Sequence, residues 1–256
     1  MKMKKKMFVL LLVLCLSCTS AVSVSAASID TDYDEFISKA SYSSRVDFYK
    51  DWITSQINGK DLNGYKSQIF LNEFNNLTED EQESFVSYIS NSDLLLEMLN
   101  SLFNTNNHVE LANGDIVISN SQTLDNGEKA VENRAAMQYR IGTATRSISI
   151  LGLKVFEYSG EIRYNHNGSA VKGISHANIW ISANWMPFVS FSWDNESTYG
   201  IGATVAHHIK YCTWSFVHES LGLTYGSHQI EITGSVSNRT TFSVRWGEKW
   251  KLNILF

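Results

Sequence analysis

The chain has 256 residues, enough for one large domain or two small ones. Its 21 Lys and Arg stand against 26 Asp and Glu, a net charge of −5, so it lacks the basic excess that marks a nucleic-acid reader. No glycine-rich phosphate loop or dinucleotide fingerprint occurs in it either.

Residues 1–26 predict a secretory signal peptide. Lys2, Lys4, Lys5 and Lys6 form a basic start, Phe8 to Leu16 an apolar core, and Val24-Ser25-Ala26 a cleavage site with small residues at −3 and −1. The apolar run is too short to cross a bilayer. The lysine-rich start is bacterial in style, and a secreted, extracellular protein is expected. A rival reading makes Leu16-Ser17-Cys18 a lipidation signal, but Cys15 occupies the place where an aliphatic residue is wanted. Removing the leader takes two of the three cysteines and leaves Cys212 without an intrachain partner. Trp214 and Phe216 beside it predict a buried, small hydrophobe rather than a reactive thiol.

Charge divides the rest. Ala27 to Asn133 carries 19 acidic and 6 basic residues; Arg134 to Phe256 carries 7 and 11, with six of the seven tryptophans. Opposite charges on two parts of one chain attract. This suggests an acidic pro-region over a basic, aromatic module, set against the plainer reading of a solvated helical part beside a β part.

Residues 27–104 predict an acidic helical domain. Val46, Tyr49, Ile53 and Ile57 recur at helical spacing, and Tyr65, Ile69 and Phe70 continue the pattern. Thr78 with Glu81 fits a capping box ahead of Phe85, Tyr88 and Ile89. Ser92 is expected to cap a last helix carrying Leu95, Leu96, Leu99 and Leu102. Residues 105–136 read as a hairpin and linker. Asn113-Gly114 suits a type I′ turn with Leu111 facing Ile116 and Val109 facing Ile118, and the polar stretch Ser119 to Asn133 follows, with a candidate cleavage point at Arg134.

Residues 137–256 predict an antiparallel β-sandwich, making the class α+β: a helical segment followed by a sandwich. Ala177, Ile179 and Ile181 alternate with Asn178, Trp180 and Ser182; Val189, Phe191 and Trp193 alternate with serines. Parity assigns Trp193, Trp214 and Trp246 to the core. It leaves Trp180, Trp185 and Trp250 as an expected exposed aromatic surface for a cell-envelope polymer, a carbohydrate or a membrane surface.

The search for chemistry assigns no catalytic residue, metal ligand or cofactor. His208 and Cys212 are four apart, and four strand residues span roughly 13 Å, too far for two ligands of one zinc unless a bulge near Tyr211 brings them together. His218-Glu219 lacks the histidine four residues on that a zinc-protease helix requires, since position 222 is Gly222. Cys212 with His207 or His208 is a remote thiol–imidazole candidate.

The functional expectation is a non-enzymatic, cell-surface-acting effector or binding module, such as an antibacterial protein with an acidic pro-region. One alternative is a secreted hydrolase gathering at least two of His207, His208, His218 and Glu219 in a pocket. Another is a structural protein of an envelope or biofilm.

Overall fold

Helical periodicity shapes the front of the chain. The computed structural model describes residues 42–57, 62–102, 108–126, 137–187, 189–218, 222–237 and 239–246; the leader, the Arg134 cleavage point and Trp250 lie outside the described residues. These begin with α1 (Tyr42–Ile57), α2 (Leu62–Asn75), α3 (Glu79–Ser90) and α4 (Ser92–Leu102). Tyr49 is fully buried at their centre, its ring 5.2 Å from Phe74 and 5.4 Å from Phe85. In α2 the inward residues are Ser67, Phe70 and Phe74, at spacings of three and four. Tyr65 and Ile69, expected on that side, lie on the exposed one.

Thr78 and Glu81 close the expected capping box: the Glu81 N–H donates to Thr78 Oγ1 and the Thr78 N–H donates to Glu81 Oε2 at 2.8 Å. This satisfies two N–H groups that have no partner within the helix. The cap of α4 is Asn91 rather than Ser92, because Asn91 Oδ1 accepts from the Leu94 N–H at 3.0 Å.

Two antiparallel meanders follow. The first sheet runs β1 (His108–Leu111), β2 (Ile116–Asn126), β3 (Gln138–Ile150), β4 (Leu153–His166) and β5 (Val171–Asn184). The second runs β6 (Val189–Tyr199), β7 (Val205–His218), β8 (Gly222–Ser235) and β9 (Thr240–Trp246). The α+β class read from the sequence is the class observed. The first hairpin has the expected register, Leu111 opposite Ile116 and Val109 opposite Ile118. Its loop is longer than a two-residue turn: Ala112, Asn113 and Gly114 all have positive φ (49°, 59° and 97°).

The polar residues Ser119 to Asn126, expected in a linker, continue β2 and pair with β3 along their whole length. Low hydrophobicity misled the reading, because backbone bonds to β3 hold these residues. The first sheet therefore begins at His108, well before residue 137.

One face of β3 serves two partners. Arg140 and Arg146 lie on the same side of a stretch without register shift. Arg140 Nη1 donates to the carbonyls of Ser235 and Val236 in the second sheet and the turn after it, both at 2.9 Å. Arg146 Nη2 donates to the Ser101 carbonyl of α4 at 2.8 Å. The helices and the second sheet thus cover neighbouring stretches of one apolar face, and Lys39–Phe256 forms a single compact unit.

The sheets approach closely where glycine removes a side chain. A Cβ on Gly234 would sit 2.2 Å from the Tyr164 ring, whose hydroxyl donates to the Ser235 carbonyl at 2.8 Å. Gly234→Ala is expected to lower stability by about 1–3 kcal/mol through this overlap. A urea midpoint equal to that of the parent chain would contradict it.

Candidate functional site

Regular alternation along β7 and β8 sorts their side chains between two faces, since their pairing has no register shift. His208, Cys212, Trp214, His228, Ile230 and Ile232 are buried toward the first sheet. The opposite set lines an open groove of about 630 Å³ on the outer face of the second sheet, with Tyr199, His207, Glu231, Thr233, Arg239 and Thr241 in its wall.

Strand register builds this wall. Tyr199 pairs with His207, His207 with Thr233, and Thr233 with Thr241. The rings of Tyr199 and His207 stack at 4.7 Å with 5° between their planes. His207 Nδ1 lies 2.7 Å from Glu231 Oε1, whose side chain is only 9% exposed. This bond fixes the orientation of the imidazole in the wall of the groove. Thr233 and Thr241 share a hydroxyl bond of 2.5 Å. Arg239, exposed on the turn between β8 and β9, makes no ion pair among the described residues.

A flat stacked pair, an anchored carboxylate, hydroxyls and an available guanidinium can hold a polar or anionic ligand. Among the described residues the groove is lined by one carboxylate, Glu231, rather than the facing pair that glycosidic cleavage uses. Among the described residues no hydroxyl or thiol is hydrogen-bonded to Nε2 of His207.

The sequence-predicted residues do not converge on this groove. Trp180 pairs with Ser159 on the outer face of the first sheet and is 38% exposed. Trp185 is not on an exposed surface: it is 9% exposed, stacked on Phe70 at 5.2 Å, and its carbonyl accepts from the Tyr49 hydroxyl at 2.7 Å. A loop position was read as accessible, but the helices cover it. Of the pair His207 and His208, His207 lines the groove. His208 points inward, its Nδ1 2.8 Å from Thr198 Oγ1. The His218 side chain and Glu219 lie outside the described residues, as do the side chains of Phe216 and Trp246. The pairing of β6 with β7 shifts register opposite Tyr211, but the extra residue lies in β6, between Trp193 and Glu196, and β7 stays regular against β8, so His208 and Cys212 are not brought together. Lys210, between them, also faces inward, donating to Asn178 Oδ1 and the Ile179 carbonyl, and sits 4.9 Å from the Trp193 ring centre. No group of three or more His, Cys, Asp or Glu suited to a metal occurs among the described residues.

Sequence reasoning missed the core triad around Cys212. Tyr158 Oη lies 3.0 Å from His228 Nε2 and 3.5 Å from Cys212 Sγ. Burial pushes the Cys212 thiol up to about 12 and the His228 imidazole down to about 3. Both are neutral at pH 7, so this thiol is a packed hydrophobe and not a nucleophile. Register could have predicted the meeting of Cys212 with His228, but pairing of β7 with β8 is a tertiary fact.

The chain matches no protein-family profile, no curated protein and no solved structure.

Proposed function

We propose that this is a secreted, non-enzymatic binding module that acts at cell surfaces through the outer groove of the second sheet. The observation that carries the reading is the convergence of the Tyr199–His207 stack and Arg239 in one open groove. Stacked rings offer a flat face to a sugar or polyol, and a guanidinium takes phosphate or carboxylate. Trp180 offers a second aromatic contact on the other outer face. The groove is open with the helices in place. They meet the strands near Trp185, and β6 runs 11 residues, about 35 Å, from that end to Tyr199.

Sedimentation with isolated bacterial envelopes tests the reading. Binding is expected to weaken with salt, and Tyr199→Ala and Arg239→Gln are each expected to weaken it at least fivefold, about 1 kcal/mol. Undiminished binding by both variants would remove the groove from the proposal.

A secreted hydrolase is the second reading, and the His207–Glu231 bond is what favours it. It requires hydrolysis of an envelope polymer that His207→Ala abolishes; intact polymer after incubation with the parent chain would dismiss it.

A further inference from the structure

We infer that the turn between β6 and β7 docks on a lipid surface with anionic headgroups, Ile201 entering the apolar boundary while Lys172 and Arg239 meet headgroup phosphates. The inference rests on the cell-surface reading above, since Arg239 also belongs to the groove, and it names the partner.

Ile201 is 68% exposed and Tyr199, two residues before it, 48%. The backbone prevents the isoleucine from tucking away. Gly200 has φ +114°, and a Cβ there would stand 2.2 Å from the Val205 carbonyl oxygen. The Gly202 N–H donates to the Val171 carbonyl, and the Val171 N–H donates to the Ala203 carbonyl, both at 2.8 Å. The Val236 N–H donates to the Thr204 carbonyl at 3.0 Å. The turn is thus tied to the first residue of β5 and to the turn after β8, and it presents Ile201 on a fixed base. A soluble polymer gives an aliphatic knob nothing to bury against; the acyl boundary of a membrane does.

Charge supports the same partner. The three tied segments, 166–173, 199–205 and 234–241, contain Lys172 and Arg239 and no Asp or Glu. Both cations are free of ion pairs among the described residues. Asp125, at the end of β2, stands three strands, about 14 Å, from the strand that carries Lys172, while β2 meets β9 next to Arg239. Each cation near an anionic membrane surface contributes a few-fold in affinity. A tyrosine at the shoulder of the turn suits the headgroup layer, with an apolar body and a polar tip. The helices lie toward the opposite end of the strands, so docking leaves them unobstructed.

Vesicle flotation tests this with the chain from Ala27 onward, which contains the whole compact unit Lys39–Phe256. Binding is expected to equimolar phosphatidylglycerol–phosphatidylcholine vesicles and to be much weaker on phosphatidylcholine alone. Ile201→Asp is expected to weaken binding at least tenfold, and Lys172→Gln and Arg239→Gln about fivefold each. Because all three side chains are exposed, an unchanged thermal midpoint verifies folding. Equal binding by Ile201→Asp overturns the inference, as does equal binding to both vesicle types. Displacement by inorganic phosphate, combined with indifference to Ile201→Asp, also overturns it and assigns a phosphate site without lipid. If no vesicle is bound while Tyr199→Ala still weakens envelope binding, lipid docking falls and the groove reading stands. If both kinds of binding are missing, both fall.

Discussion

Replacing Trp185 by alanine is expected to lower the unfolding free energy by about 3–5 kcal/mol, the usual range for deleting a large buried aromatic side chain. Trp185 follows the end of β5, with its N–H donating to the Val155 carbonyl at 2.7 Å. Its ring lies on Phe70 of α2, and its carbonyl receives the hydroxyl of Tyr49, the fully buried centre of the helices. Loss of the ring opens a cavity at the junction of two layers that share one apolar face, so helical and strand signals are expected to fall together. Urea unfolding followed by circular dichroism at 222 nm and by tryptophan fluorescence reads this out. A loss below about 1 kcal/mol, or a helical signal that stays put while the strands melt early, would show that the junction is not a shared core.

Acid is expected to unfold the protein through its buried histidines. In the folded chain burial holds His228 at about 3, and it holds His166 and His208 below their usual range as well, with Arg140 also disfavouring the charge on His166. In the unfolded chain a histidine titrates at about 6.5. Between these values the unfolded state binds the proton and the folded state does not, so stability rises with pH across that window. Full stability holds above about pH 6.5, and the loss accumulates on acidification until it levels off below about pH 3. A single histidine contributes a slope of up to about 1.4 kcal/mol per pH unit, so His228 alone accounts for a loss on the order of 5 kcal/mol over the window. His228→Gln retains polar atoms that can face the Tyr158 hydroxyl and removes the titration. Urea midpoints from pH 3 to 8 are expected to fall less steeply for this variant. A profile as steep as that of the parent chain would exclude His228 as the main acid sensor.

The parts of the fold legible in the sequence were those fixed by neighbours. The Thr78–Glu81 box, the helical periodicity of α3 and α4, and the Leu111–Ile116 register are interactions within a few residues, and the structure contains them. Strand parity placed Cys212 and Trp214 inward because side-chain direction alternates along any regular strand. Alternation gives a direction but not a polarity, as Lys210 shows. A lysine can face inward where its ammonium finds carbonyls near a sandwich edge, and only the opposite sheet supplies Asn178 and Ile179. Ser119 to Asn126 looked like a linker because its side chains are polar, although its backbone is fully engaged with β3.

The candidate groove was less legible than the fold. His207 was singled out for its chemistry, but Tyr199, Glu231 and Arg239 share no spacing along the chain. They meet because β6 pairs with β7, β7 with β8, and a turn after β8 returns Arg239 to the same face. Trp185 was expected to be accessible from its place in a loop, and the helices bury it.

By itself the sequence determined where helices give way to strands and which way most strand side chains turn, because periodicity and capping act between residues close along the chain. Tertiary structure alone decided that helices and second sheet share one apolar face, that Trp185 is covered, and that four distant side chains line a groove. Those outcomes depend on which surfaces meet, and no local pattern encodes the partner of a surface.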